Sequence, residues 1–264
     1  MMIARHKLPA MASSTAQRDD FQLLALDTST ERLAIGVQAR GRSWTLNAPG
    51  GVLASSTLLP QVASLLAQAG LSYRELDSIA FGRGPGAFTG LRTACAVAQG
   101  LALGLGLPVL AIDSLLIVAE DARMQAAADH AAFEIGVAMD ARMNEVYAGR
   151  YRWETGRWLT VQAPALYTLA AWAEAWAEEW AEDGAEAPLA IVAGSALDAF
   201  GAQPWWPASA LRVAREHDRA AALLRLAVRA AQQGEGVDAA LALPLYLRDK
   251  VALTTRERTA VPAG

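Results

Sequence analysis

The chain has 264 residues, 53% of them hydrophobic and 19% charged, with a mean hydropathy of +0.19 and a formal net charge of -4. That composition can bury a core, and it excludes disorder for the bulk of the chain. The acidic balance argues against a freestanding nucleic-acid binder, which neutralises several phosphates with a basic face, so any nucleic acid is expected to arrive through a partner.

Residues 1–20 mix Arg5, His6, Lys7, Pro9, Arg18, Asp19 and Asp20. They read as a disordered extension with no secretion signal, and Met2 and Met11 are alternative starts. Apolar runs at 21–26 and 33–38, joined by Asp27-Thr28-Ser29-Thr30, predict two strands, and a third is expected at 43–46 before the turn formers Asn47 to Gly51. Leu58, Leu59, Val62, Leu65, Leu66 and Ala69 recur at helical spacing, with Ser55 or Ser56 as expected N-cap and Gly70 as the stop. A buried strand at 78–82 leads into a glycine-rich loop and a helix over 91–105 lined with small residues, including Ala94, Ala98, Gly100, Ala102 and Gly104. A strand at 108–112 and a helix from Ser114 to about Ala128 follow. The apolar stretch 97–119 is broken by Gln99, Pro108, Asp113 and Ser114, short of the roughly 20 clean residues a membrane span needs.

The pattern then restarts. Strands are expected at 133–140, 145–153 and 158–162, followed by a helix on which Trp172, Trp176 and Trp180 recur every four residues as a buried row. A strand at 189–193 ends at Gly194-Ser195, an amphipathic helix covers 220–233, and the tail beyond Leu247 is expected to be loose. Leu24-Ala25-Leu26-Asp27-Thr28 is echoed by Val137-Ala138-Met139-Asp140-Ala141, each placing an Asp at the end of an apolar strand. A β-meander plus helices, twice over, predicts an α/β fold of two similar lobes. The first lobe is assigned to 21–115 plus 216–248, the second to 116–215, and the loose tail to 249–264.

Four segments carry a resemblance: Leu26-Asp27-Thr28-Ser29, the run Gly84-Pro85-Gly86-Ala87-Phe88-Thr89-Gly90-Leu91-Arg92, Asp140 to Tyr147 (DARMNEVY), and Tyr246-Leu247-Arg248. In this order they resemble the TsaB family, the non-catalytic subunit of bacterial tRNA threonylcarbamoyladenosine synthesis. The resemblance implies two lobes of the actin, sugar-kinase and acetate-kinase class. It implies a catalytic, metal-bearing TsaD partner, a homodimer when alone, contact with the TsaE ATPase as an open question, tRNA only through the complex, no membrane, and a cytoplasmic location. No cofactor is implied for the lone chain, with ATP or ADP and Mg left open at the partner interface. The partner interface is implied to lie on two helices of the first lobe, at Leu58, Leu59, Val62, Leu65 and Leu66 and at Leu91, Ala94, Ala98 and Ala102.

The remaining site candidates have two readings each. Asp27, Thr28 and Ser29 are a vestigial nucleotide hairpin in which Asp27 either holds Mg through water or caps the turn. The hairpin lacks the glycine that lets backbone approach a phosphate, and adds Glu31. The loop of Gly84, Gly86, Thr89, Gly90 and Arg92 either cradles a phosphate with Arg83 or makes a tight strand-to-helix turn with Thr89 as N-cap. It matches neither dinucleotide nor Walker spacing. Ser114 and Val118 stand where metal-binding relatives carry imidazoles, and Cys95 with three scattered histidines offers no metal cluster, so no metal is expected. Ser29, Ser114 and Ser195 are candidate nucleophiles without a histidine motif to activate them. The rival to a non-catalytic subunit is an ATP-dependent small-molecule kinase or glycoprotease-like hydrolase, with Asp27 and Asp140 flanking a cleft.

Overall fold

A computed structural model describes residues 21–182, 190–201 and 209–248. The expected extension at 1–20, the tail at 249–264 and the Trp205-Trp206 pair lie outside the described residues. The chain opens with β1 (Leu23–Asp27), β2 (Arg32–Ala39) and β3 (Arg42–Pro49), then α1 (Ala54–Ala69), β4 (Ser78–Gly84), α2 (Phe88–Leu105), β5 (Val109–Asp113) and α3 (Ser114–Ala126). It continues with β6 (Ala132–Arg142), β7 (Glu145–Glu154), β8 (Arg157–Thr168), α4 (Leu169–Glu182), β9 (Ala190–Ala193), α5 (Ala196–Phe200), β10 (Leu211–Val213) and α6 (Arg219–Gln232).

The strands form two five-stranded sheets of the same topology, β3-β2-β1-β4-β5 and β8-β7-β6-β9-β10. In each, an antiparallel meander is extended by two parallel strands on the side of its first strand. The echo between Asp27 and Asp140 is therefore topological: both sit at or near the C-terminal end of the first strand of a lobe. This is the two-lobed α/β fold that the repeated sequence pattern predicts.

β1 reads as a continuous apolar run because both its faces are covered. Leu24 and Leu26 meet Leu58, Val62, Leu65 and Leu66 of α1 and the alanines of α2, while Leu23 and Ala25 meet Leu223, Leu226 and Ala227 of α6. α3 is wedged between the lobes. Its Ile117 joins the α6 core, and its Leu115, Val118, Ala119 and Ala122 pack on Phe133, Ile135, Tyr151 and Trp153 of the second sheet. Trp172 and Trp176 are fully buried against Val146, Ala148 and Val192 on the outer face of that sheet, as the four-residue spacing predicts; the side chain of Trp180 lies outside the description.

Several expectations are corrected. α1 continues from a 3-10 turn at Gly51–Leu53, so neither Ser55 nor Ser56 is its N-cap; the Ser56 and Thr57 hydroxyls instead donate to the Leu53 carbonyl. α2 starts at Phe88 with Ala87 ahead of it, which places Thr89 inside the first turn rather than at the cap. The third strand of the second meander is longer than the expected 158–162, because β8 pairs along β7 as far as Thr168. Gly51–Ala69 is long and apolar enough by length and composition to cross a membrane, but its inward side belongs to the lobe core.

The interface residues are corrected too. Leu58, Val62, Leu65 and Leu66 of α1, and Leu91, Ala94, Ala98 and Ala102 of α2, are buried inside their own lobe. Of the residues expected at the interface only Leu59 is outward, 45% exposed, and it shares its side of the molecule with Ala63, Ala96, Gly100 and Leu103. A stripe of apolar residues at helical spacing points to the nearest sheet first, and the exposed face falls to the smaller side chains between them.

Candidate functional site

The two hairpins that follow β1 and β6 face each other across a cleft of about 940 Å³. Beneath its floor, behind Ser29, Ser114 and Arg219 of the lining, lies Asp27, fully buried. Oδ1 accepts from the Ser29 amide (2.9 Å), the Ser29 hydroxyl (2.8 Å) and Nε of Arg219 (3.1 Å), and Oδ2 faces the Ser114 hydroxyl at 3.4 Å. Three of these donors crowd Oδ1, while Oδ2 has the Ser114 hydroxyl and a second contact from the Ser29 hydroxyl at 3.1 Å, and the buried carboxylate is reached only past these side chains.

Arg219 opens α6 and is 2% exposed. Its fork reaches three partners: Asp27 through Nε, the Ser29 hydroxyl through Nη2 at 3.0 Å, and the Glu216 carboxylate through Nη1. Burial alone would lower the guanidinium pKa, but Asp27 and Glu216 raise it more, and the net shift is upward. Burial pushes the Glu216 carboxyl up, and Arg219 draws it back only in part. The place where a phosphotransferase would keep a divalent cation on this acid is taken by a guanidinium. The residues present do not fit a metal-bound nucleotide at Asp27.

The glycine-rich loop is spent in the same way. A Cβ on Gly82 would stand 1.6 Å from Asp27 Oδ2, and one on Gly90 would stand 1.7 Å from the Thr28 carbonyl oxygen, so both glycines are required by close approach to the first hairpin. The Thr28 hydroxyl donates to the Gly90 carbonyl at 2.7 Å, the Ala87 amide donates to the Ser29 carbonyl at 2.7 Å, and the Gly84 amide donates to the Ser114 hydroxyl at 3.0 Å. Two of the loop's amides are thus used within the fold, that of Ala87 by the hairpin and that of Gly84 by Ser114. Arg92 is likewise engaged, stacked 3.9 Å over the Phe88 ring with Nε 3.3 Å from the Tyr246 hydroxyl.

The second hairpin is held by contacts that sequence periodicity does not reveal. Arg142, Met143 and Asn144 are three successive left-handed residues, with φ of 66°, 59° and 57°. Only Asn takes that conformation readily, so the turn stores on the order of 1 kcal/mol at each of the other two. Arg248 fastens it, donating to the Ala141 carbonyl at 3.0 Å and to the Glu145 carboxylate. Expected in a polar region of the chain, Arg248 is in fact the end of a segment that crosses from the first lobe to the second. Arg142 also pairs with Glu31 at 3.0 Å across the cleft mouth, between two exposed side chains. Asp140 accepts from the Arg142 amide at 2.8 Å, and its own amide donates to the Ser195 hydroxyl at 3.0 Å.

The structure therefore brings Asp27, Ser29, Ser114 and the glycine-rich loop together, sets Asp140 and Ser195 across the cleft, and leaves the α1 and α2 face on the outside. Among the described residues no group of three or more His, Cys, Asp or Glu side chains is arranged to hold a metal. Sequence reasoning missed Arg219, Glu216 and the Arg142–Glu31 bridge. The only local signal for Arg219 was its position just after the Asp218 N-cap, where a cation opposes the helix dipole and needs another reason to be there.

Comparison with known proteins agrees with this architecture. Residues 53–255 match the family described as "TsaD: tRNA N6-adenosine threonylcarbamoyltransferase". The chain is similar to the "tRNA threonylcarbamoyladenosine biosynthesis protein TsaB" of Haemophilus influenzae, 44% identical over 126 residues that cover 47% of this chain and 51% of the relative. It is similar to the protein of the same name from Escherichia coli K12, 37% identical over 141 residues covering 52% of this chain and 58% of the relative. The matched region spans about half the length of these curated relatives. The solved structure "YeaZ from Pseudomonas aeruginosa" is similar over 86% of this chain and 100% of its own, with 39% identity and a TM-score of 0.73.

Proposed function

The chain belongs to the TsaB family, and from that premise we propose that it serves tRNA threonylcarbamoyladenosine biosynthesis as a non-catalytic assembly subunit that docks a TsaD-like catalytic partner. The observation that carries the reading is the buried pairing of Asp27 with Arg219. An acid that is fully buried and already neutralised by a guanidinium is poorly placed to bind a cation or to accept a proton from substrate. What the molecule offers instead is a surface.

The outward side of α1 and α2 exposes Val52, Leu53, Leu59 and Leu103 around small residues, among them Gly100, whose missing side chain meets nothing within 4 Å. Small residues let a partner helix approach closely, and the exposed aliphatic side chains supply apolar area. The partner is the TsaD-like subunit, or a second copy of this chain when that subunit is absent. Contact with tRNA, TsaE and any ATP or ADP belongs to the assembled complex, and the complex works in the cytoplasm.

Light scattering on a sizing column tests this for the purified chain, alone and mixed with the TsaD protein of the same source. The expected result is a dimer that converts to a mixed complex, with Leu59→Asp and Leu103→Asp abolishing both states while the melting temperature stays within a few degrees. A monomer indifferent to TsaD overturns the docking reading. Turnover of Mg–ATP by the lone chain, lost in Asp27→Ala, overturns the non-catalytic one.

A further inference from the structure

A second cavity lies far from the cleft. About three turns along α6 from Arg219, a groove of about 460 Å³ runs between α6 and the outer strands β2 and β3. Its walls include Gln38, Ser43, Thr45, Arg225, Arg229 and Gln232. Beneath it the charges do not balance. Glu120, fully buried, is one carboxylate serving several donors: Arg123 by two nitrogens at 2.9 and 2.8 Å, Arg225 Nε at 2.7 Å, and the Trp158 indole N–H at 2.9 Å.

Arg229 is the third guanidinium of the cluster. It stacks 4.5 Å from the centre of the Trp153 ring, which Arg123 also covers at 4.4 Å, and its Nη1 is buried without a hydrogen-bond partner. Three guanidiniums around one carboxylate leave a formal excess of +2. A part-buried guanidinium held by stacking rather than by hydrogen bonds, with uncompensated positive charge around it and polar side chains beside it at the wall of a groove, can receive an oxyanion. Burial lowers the Arg229 pKa, Glu120 opposes the shift, and Arg123 and Arg225 add to it. Its neighbours thus leave the site short of negative charge.

We propose that the α6–β3 groove binds a phosphate group, held by Arg229 with Arg225 beside it and by the Thr45 hydroxyl, the Ser43 hydroxyl being engaged by Gln38 at 2.7 Å. The phosphate is either that of a free phosphomonoester or that of an RNA backbone. The site is independent of the α1 and α2 docking face, so the proposal stands or falls apart from the assembly reading.

The test uses the full chain and two probes: inorganic phosphate, followed by calorimetry, and a labelled RNA hairpin, followed by anisotropy at low and high salt. The wild-type chain is expected to bind phosphate, and Arg229→Gln to weaken that binding about tenfold or more, the effect of losing one charge-assisted contact. Its melting temperature should fall by only a few degrees, because Arg229 stacks on Trp153 without tying down another element by a hydrogen bond. Thr45→Glu, at an exposed strand position, sets a carboxylate in the groove and is expected to abolish binding if Arg229→Gln proves unstable. RNA binding that phosphate displaces, and that both variants lose, assigns the group to an RNA backbone. Phosphate binding with RNA no better than free phosphate assigns it to a small phosphoester. Absence of binding to the wild-type chain, or binding unchanged in both variants, overturns the proposal.

Discussion

Replacing Arg219 by Met keeps the length of the side chain and removes its charge, which isolates the ion pair at the cleft floor. Arg219 is 2% exposed and Asp27 is fully buried, so water cannot replace the lost guanidinium. Removing one partner of such a pair costs about 3–5 kcal/mol, because the other charge stays buried and unpaired. In a protein of this size about 1 kcal/mol moves the melting temperature by roughly 2–4 °C, so Arg219→Met should melt roughly 6–20 °C below the parent. Arg219→Lys should recover only part of the loss, since an ammonium cannot reach Asp27, Ser29 and Glu216 at once as the fork does. Adding Asp27→Asn to Arg219→Met removes the stranded charge, so the double variant should be more stable than the sum of the single losses predicts, by about 2 kcal/mol. Calorimetry on the four proteins reads all of this. A single variant within about 2 °C of the parent, or additive losses in the cycle, would refute the view that the cleft is organised around this pair.

Burial pushes the Asp113 carboxyl above its ordinary pKa, against hydrogen bonds from the Tyr151 hydroxyl and the Leu115 amide. A carboxyl raised in the folded state contributes its stability fully below its unfolded pKa and loses it as pH rises through the folded one, so the stability of Asp113→Asn relative to the parent should increase from pH 4 to pH 8 in denaturant midpoints. Leu58→Ala should cost about 2–5 kcal/mol and its neighbour Leu59→Ala less than about 0.5 kcal/mol, read by urea unfolding, because the first empties a core position and the second an exposed one. Gly82→Ala should destabilise the fold by displacing the Asp27 carboxylate. Gly100→Ala should instead stabilise the lone chain by roughly 0.5–1 kcal/mol and weaken its association with the partner, since its methyl group enters the docking face.

The lobes were legible because the first strand of each meander runs into an Asp and a turn, and because the apolar runs and helical stripes repeat in the same order. The burial of Trp172 and Trp176 on α4 followed from helical periodicity, whereas the burial of β1 on both faces emerged only from the packing of α1, α2 and α6. The outward side of α1 and α2 was misread for a physical reason. Leu58, Val62 and Leu65 mark the strongest stripe on α1, and the strongest stripe on a helix goes to its own core. The face left for a partner consists of residues that a hydrophobicity pattern ranks lower, such as Ala63, Ala96 and Gly100. Arg219 was invisible for another reason: its partner Asp27 lies 192 positions away, and no local periodicity records a long-range ion pair.

The duplicated topology makes the cleft's chemistry easier to judge. Each lobe delivers an acid to the rim, but the two acids meet different ends. Asp27 turns inward to Arg219, while Asp140 accepts from the amide and, at 3.2 Å, the guanidinium of Arg142 in its own hairpin. Both carboxylates are committed to the fold, and both hairpins are tied across the gap, by Arg142 to Glu31 and by Arg248 from the first lobe to the Ala141 carbonyl. A catalytic member of a two-lobed architecture needs its lobes to close on a substrate, and closure requires groups that change partners. Here the groups at the floor and the rim already have partners, and α3 shares its two sides between both cores. These contacts favour one inter-lobe geometry, the property that the proposed docking role requires.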